Sequence, residues 1–306
     1  MNAELIMVIS EIQSDISAIE NDTTLYEEIN FDKRANTIDF IDFHIFDRIE
    51  GLQQNTESNK KLDILKQQAE KIKFRLEEID INLFKKIRQN ITAGISLPFK
   101  YLIDKYIGAA SSNINQPDKI GYDNLDAFVN GLLAYKEIPE PTLDRASEMV
   151  FYQQTPARII FELTQLAQLT PDDIFFDIGS GVGQVGILVN LISKATTYGI
   201  EYEPAYCNYA IACASQLNLA NVNFINSDAL KGDYSKGTVF FMYTPFEGRM
   251  LNDMLLILQK EAQKRPIRIF TYGPCSPYVV MHNWLNCVNG DGNSLYKLYE
   301  FRSLDN

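Results

Sequence analysis

The sequence is poor in the residues that build metal centres and disulfide frameworks. It has two histidines (His44, His282) and four cysteines (Cys207, Cys213, Cys275, Cys287), and no two cysteines form a C-x-x-C pair. This argues against a structural zinc site, and no metal ligand set is read from the chain. The thiols read as reduced core residues of a cytoplasmic protein. No apolar run approaches 18 residues, so no membrane-spanning helix is expected. The start, Met1-Asn2-Ala3-Glu4-Leu5, has no positively charged segment, and Glu11 interrupts the apolar positions, so no signal peptide is read there. A basic surplus is missing too. The chain has 28 Lys and Arg against 40 Asp and Glu, a net charge of −12, which argues against a nucleic-acid partner, whose phosphates call for cations.

What is present describes a folded chain. Of its 306 residues, 46% are apolar and 22% charged, enough to bury a core and, by length, to form about two domains. Most of the acid excess falls in the first fifty residues, at positions such as Glu11, Asp15, Glu20, Asp22, Glu27 and Glu28. A basic cluster follows at Lys85, Lys86 and Arg88. Both read as solvated helix faces.

The first 140 residues are expected to form an all-α domain. Leu62, Leu65, Ala69, Ile72, Leu76, Ile79 and Leu83 are spaced by alternating threes and fours, and Ile87 continues the row. That spacing puts one apolar seam along a helix. The seam suits packing inside a helical bundle, with self-association into a homo-oligomer as the alternative. Leu5, Val8, Ile9, Ile12, Ile16 and Ile19 predict a second helix over residues 3–19. The stretch from Gly108 to Gly121 is small and polar and contains Pro117, so it reads as a loop. Pro139 and Pro141 mark a linker, and the second domain is expected to span 141–306.

Beyond about residue 145 the pattern changes. Continuous apolar runs at Ile174–Ile178, Thr197–Tyr202, Val222–Ile225, Thr238–Tyr243 and Ile267–Tyr272 alternate with helical stretches such as Pro204–Leu217 and Arg249–Lys264. Strands buried on both faces and separated by helices predict an α/β fold with a parallel sheet. In such sheets ligands bind beyond the carboxyl ends of the strands.

The first run ends in Asp177-Ile178-Gly179-Ser180-Gly181-Val182-Gly183-Gln184. Three alternate glycines allow a ligand to approach the backbone closely. A dinucleotide loop of the form G-x-G-x-x-G would put its third glycine where Gln184 stands, and Asp177 would repel a pyrophosphate. The same carboxylate suits the ammonium of an amino acid. S-adenosyl-L-methionine combines an ammonium, a sulfonium and an adenosine without a phosphate. Glu201, at the end of the second run, is placed to accept ribose hydroxyls. Asp228, after the third, is placed to accept from the adenine amine, with Ala229 packing on the ring.

Residues 150–302 resemble a class I, seven-strand S-adenosylmethionine-dependent methyltransferase. Within that class they resemble the non-SET histone lysine methyltransferase family, through FFDIGSGVGQVG, through the turn Tyr152-Gln153-Gln154-Thr155-Pro156 before it, and through YGIE at Tyr198–Glu201. The resemblance implies a Rossmann-like sheet with helices on both faces and S-adenosylmethionine as cofactor. It further implies that Tyr152, Gln154 and Thr155 close over the methionine end, with Gln184 nearby. From local chemistry alone, Thr155 also reads as a helix N-cap with Pro156 in the first helical position.

The chain departs from that family after the fourth strand. There the family has an asparagine opening Asn-Phe-Ala-Phe, and this chain reads Tyr243-Thr244-Pro245-Phe246. The Tyr243 hydroxyl is a candidate to hold the acceptor nitrogen, or to accept its proton through water, and Phe246 a candidate wall beside the transferring methyl. The acceptor is read as a nitrogen of a protein side chain, lysine-like, or of a small molecule. A cofactor-binding scaffold with little turnover is the competing reading of the missing asparagine. Glu203 reads as a helix-start residue before Pro204, His282 as part of a short helical stretch over Tyr278–Leu285, and Tyr272-Gly273-Pro274 as a pocket wall.

Overall fold

The apolar seam that begins at Leu62 lies along one helix of 33 residues in the computed structural model of the protein, which describes residues 3–55, 60–95, 98–108, 121–133 and 137–304. The described residues fall into two compact units. One is drawn from 1–89, 101–112 and 123–132, and the other from 90–100, 113–122 and 133–306. Residues 109–120, in the stretch read as a loop, lie outside the described residues. No described helix is long and apolar enough to cross a membrane.

The first unit is helical. In chain order come α1 (Ala3–Asn21), a 3-10 turn (Thr23–Tyr26), α2 (Phe31–Phe40), a π-type turn (Ile41–Phe46), α3 (Asp47–Asn55), α4 (Lys60–Thr92), α5 (Phe99–Tyr106) and α6 (Asn124–Leu133). Ile9, Ile12 and Ile16 of α1 share a core with Ile41, Ile45 and Ile49 and with Leu62, Leu65, Ala69, Ile72 and Leu76 of α4. The seam is therefore covered from within the chain.

One seam position slips. Ile79 is only half-buried, and its neighbour Asp80 turns inward instead. The cause is Arg34 on α2, which is fully buried. Its Nε donates to Asp80 Oδ1 at 2.7 Å, and its terminal nitrogens donate to the carbonyls of Leu25, Glu27 and Glu28. A guanidinium removed from water needs a carboxylate, and that need outweighs the burial of one isoleucine. Burial pushes Asp80 up to about 6 against the pull of Arg34. In the basic cluster Lys85 and Lys86 lie on a solvated face, as expected, and only Arg88 turns partly inward. Lys86 pairs with Glu28 at 3.2 Å, and Arg88 donates to the carbonyl of Gly131 at 2.6 Å.

The second unit holds α7 (Ala157–Ala167), β1 (Ile174–Ile178), α8 (Gln184–Ser193), β2 (Thr196–Glu201), α9 (Pro204–Gln216), β3 (Val222–Asn226), β4 (Val239–Met242), α10 (Gly248–Ala262), β5 (Arg268–Thr271), α11 (Ser276–Val279), β6 (Leu285–Cys287) and β7 (Tyr299–Ser303). The sheet order is β3-β2-β1-β4-β5-β7-β6. The strands from β3 across to β5 pair in parallel, while β7 is antiparallel to both β5 and β6. This is the seven-strand, Rossmann-like class I methyltransferase sheet. The chain reverses direction after β3 and restarts on the other side of β1, which opens the crevice where such sheets bind ligands.

The five expected strands form, each within a residue or two of its predicted ends. Phe176 of β1 explains part of the register. Its ring stacks on Tyr198 of β2 at 5.0 Å and on Phe240 of β4 at 5.6 Å, and both are its cross-strand partners. The β6–β7 pair carries no strong apolar run; only the resemblance to a seven-strand sheet implied it. The helix predicted over Tyr278–Leu285 is cut short: α11 ends at Val279, residues 280–284 are turns, and Leu285 opens β6. Short strands pinned by a neighbour leave little local signal.

The Arg34–Asp80 pair generates a prediction. Asp80→Ala should leave a buried, unpaired guanidinium and lower the unfolding free energy by about 3–5 kcal/mol. Urea unfolding followed by circular dichroism would measure it, and a loss below 1 kcal/mol would contradict the account.

Candidate functional site

Beyond the carboxyl ends of β1, β2, β3 and β4 lies a cavity of about 590 Å³, a size typical of small-molecule sites. Strand β1 delivers Asp177 to its wall, almost fully buried. No protein group donates to Asp177 Oδ2, and Ser180 Oγ and both ends of the Gln184 amide likewise lack a protein partner. All three residues line the cavity. Buried polar atoms are nearly always paired, so four unpaired ones on one wall mark a place built for a polar ligand.

Glu201 arrives from β2, the strand beside β1. Its Oε2 accepts from the Gly181 amide at 2.7 Å and its Oε1 from the Glu203 amide at 2.8 Å. A carboxylate has about four acceptor positions, so two remain for a ligand. Burial raises Glu201 despite those amides, and burial followed by the nearby charge of Glu201 pushes Asp177 up to about 8. Asp228 follows β3 on the far side. One of its oxygens caps the short turn Ala229–Lys231 by accepting from the Leu230 amide at 3.0 Å, and Asp228 and Ala229 both line the cavity. Capping and facing the cavity are therefore both open to this residue.

The loop between Asp177 and α8 runs through left-handed backbone at Gly179 (φ +79°) and Gly181 (φ +51°). A Cβ on Gly179 would stand 2.5 Å from Pro245, and one on Gly181 only 2.3 Å from the Tyr152 ring. Glycine thus lets the segment after β4 and the tyrosine before α7 close on the loop. Gly183 serves differently. It is the N-cap of α8, packs against Phe224 and Ala210, and does not line the cavity.

The remaining expected residues divide. Tyr152, Thr155, Tyr243 and Phe246 line the cavity. Gln154 does not, and its carbonyl accepts from the Tyr122 hydroxyl at 2.6 Å. The N-cap reading of Thr155 is corrected. Helix α7 starts at Ala157 with Pro156 in the cap position, and no side chain caps it. Thr155 is instead buried in the cavity wall. Tyr243 is half-buried beside Tyr272, with ring centroids 5.0 Å apart, and Tyr272 itself does not line the cavity. Phe246 is buried and also belongs to the core under the sheet. His282 lies outside the cavity, and His44 stacks on Phe40 at 5.0 Å. Among the described residues no cluster of His, Cys, Asp and Glu could hold a metal ion.

Sequence reading missed residues 141–150. Pro141, Leu143, Asp144, Arg145, Met149 and Val150 line the cavity, although the prolines nearby read as a linker. Glu203 was expected to start α9 and does, accepting from the Ala205 amide at 2.8 Å. It also accepts from Thr142 and Leu143, a long-range contact that no local pattern signals.

The site fits S-adenosylmethionine on its own chemistry. Asp177 lacks a cation, Ser180 and Gln184 lack partners, and Glu201 has acceptor positions to spare.

Residues 144–240 match the family model described as "Histone methylation protein DOT1", the non-SET family that the glycine loop and YGIE resemble. The matched stretch ends inside β4, so Tyr243–Phe246 fall beyond it. Comparison with curated proteins gives no match. Among solved structures, the chain is similar to an RNA methyltransferase from Salinibacter ruber in complex with S-adenosyl-L-homocysteine (22% identity over 49% of this chain and 92% of that one, TM-score 0.38). It is similar to a precorrin-6y C5,15-methyltransferase from Geobacter metallireducens (16% identity, 53% and 94%, TM-score 0.38). It is also similar to a geranyl diphosphate C-methyltransferase from Streptomyces coelicolor, of which it spans less than half (19% identity, 38% and 45%, TM-score 0.31). The sheet unit is a methyltransferase domain that takes S-adenosylmethionine, and its cofactor half carries the match to the DOT1 family model.

Proposed function

We propose that the protein transfers methyl to an amine nitrogen, with a lysine-like side chain of another protein as the favoured acceptor and a small-molecule amine as the second choice. The observation that carries the cofactor side is the set of unpaired polar atoms on Asp177, Ser180 and Gln184 beside Glu201. The match of residues 144–240 to a histone-methylation model supports a protein acceptor. The four free cysteines suit a reducing compartment such as the cytoplasm.

S-adenosylmethionine would supply a methyl group already activated on positive sulfur. The protein's work is then to bind, align and exclude water. Asp177 holds the ammonium, and Glu201 accepts the ribose hydroxyls with its two remaining acceptor positions. The second oxygen of Asp228 accepts from the adenine amine. Tyr152 and Thr155 close on the methionine end, near Gln184. Tyr243 and Phe246 frame the acceptor nitrogen. Burial raises Tyr243, which keeps its hydroxyl neutral. Its role is therefore to orient the nitrogen by hydrogen bonding, and the acceptor proton leaves to water before transfer.

Titration calorimetry with S-adenosylmethionine tests the cofactor half. Asp177→Ala and Glu201→Ala should each weaken binding about 10- to 100-fold, as expected for losing a charged hydrogen bond. Unchanged affinity in both would remove the assignment. Labelling with radioactive cofactor tests the acceptor half. A band of protein in extracts that fades in Tyr243→Phe supports the protein acceptor, whereas label found only in small molecules would favour the second choice.

Stability makes a separate prediction. The Asp177 pKa is about 8 in the folded chain and ordinary in the unfolded one, so the folded state holds the extra proton between about pH 4 and 8. Stability of the free protein should therefore fall as pH rises through that window. Asp177→Asn should melt above the wild type at pH 8.5, with the gap closing towards pH 4. A thermal-unfolding series across pH checks this, and a variant that melts lower throughout would show that Asp177 is not strained by burial.

A further inference from the structure

Residues 141–150 reach the cavity as a strap fastened at both ends. At the far end Glu148 accepts from the Met250 amide at 2.8 Å and the Arg249 amide at 3.2 Å, at the start of α10. Backbone bonds from Glu247 to Glu148 at 2.8 Å and from Val150 to Pro245 at 3.1 Å add to that anchor. At the near end the fastening is a single carboxylate. Glu203 Oε2 accepts from the amides of Thr142 and Leu143, each at 2.8 Å. Glu203 Oε1 accepts from the Thr142 hydroxyl at 2.6 Å and from the Ala205 amide at 2.8 Å. Between the anchors, Leu143, Asp144, Arg145 and Met149 form one wall of the cavity.

Two features set Glu203 apart from an ordinary helix cap. All of its roughly four acceptor positions are filled by protein, so although it lines the cavity it has none left for a ligand. A cap needs only one of those bonds, and the other three bind the strap. In addition, the Glu203 amide donates to Glu201 at 2.8 Å. The strap anchor and the acid expected at the ribose are thus two residues apart and hydrogen-bonded to each other. Hydrogen bonds to a charged group are the strong kind, and they weigh most where water is excluded.

We propose that Glu203 is a positioning residue that latches residues 141–145 against the Glu201 side of the cavity, so that release of bound cofactor requires this latch to open. The proposal rests on the reading of the site as a S-adenosylmethionine pocket. With the latch closed, Leu143 and Arg145 stand in the cavity wall. With it open, the near end of the strap is released and the far anchor, at Glu148 and at Val150–Pro245, remains.

The test is the dissociation rate of S-adenosylhomocysteine from the full chain, measured by stopped-flow displacement, in wild type, Thr142→Val and Glu203→Asp. Thr142→Val removes the shortest strap bond and leaves the α9 cap untouched. Glu203→Asp retains a carboxylate able to cap α9 but is one methylene too short to span to Thr142. Release should quicken about tenfold or more in both variants, while the melting temperature of free Thr142→Val stays near wild type. Hydrogen exchange gives a readout that a simple cap would not move: the amides of Thr142 and Leu143 should be protected in wild type and exchange faster in Glu203→Asp. Wild-type release rates and unchanged protection in both variants would overturn the latch while leaving the cofactor site standing. A wild-type chain that binds no S-adenosylhomocysteine would overturn the site reading, and the latch with it.

Discussion

Two carboxylates of like charge, Asp177 and Glu201, are buried side by side at the ends of adjacent strands, and the site is organised around the cost of keeping them there. Asp177 has an oxygen with no donor, and Glu201 has backbone amides but no cation to offset its burial. In a low-dielectric wall that arrangement favours protonation of Asp177 in the free protein. It also favours any ligand that brings a cation to one acid and hydroxyl donors to the other. A pyrophosphate in this loop would add anions to anions. Stability given up in the free protein is recovered as selective binding.

Holding those acids in place requires close approach of backbone to side chain. The loop after β1 passes beneath Tyr152 on one side and Pro245 on the other, at separations that leave no room for a Cβ on Gly181 or Gly179. The segments carrying Tyr152 and Pro245 are themselves joined, through the Val150–Pro245 backbone bond and the Met149–Phe246 bridge. The cavity wall is therefore a closed circuit of β1 loop, strap and β4 exit, and the carboxylates sit inside it.

How much of this was legible in the sequence follows from the range of each interaction. IFFDI is apolar on both faces and ends in an acid, so the strand and its functional terminus could be read together. TYGIE behaves the same way, and the parallel order follows from alternation with helices. Asp80 could not be read, because the seam pointed to Ile79 and only the distant, fully buried Arg34 reverses that choice. The strap could not be read either. Pro139 and Pro141 mark irregular backbone but do not show what it lies against, and the Glu203–Thr142 bonds span some sixty residues. The β6–β7 pair lacked signal for a related reason: its strands are short and ordered by β5 rather than by their own pattern.

The acceptor end shows what replacing a family residue can mean physically. An asparagine at the start of the segment after β4 would offer a compact amide oxygen. Tyr243 offers a hydroxyl on a larger, half-buried ring packed at 5.0 Å against Tyr272. A phenol raised by burial is a weaker acid than it is in water, so it stays neutral, and its oxygen can receive an N–H while its proton is donated elsewhere. The ring also fills space that an asparagine would leave open in a cavity that Tyr152 and Phe246 line as well. Such a site would select its acceptor by shape and by the fit of a single nitrogen among aromatic surfaces. Inside the cavity, Asp144 and Arg145 of the strap are charged groups beyond the Asp177–Glu201 wall that such a site could use for charge recognition.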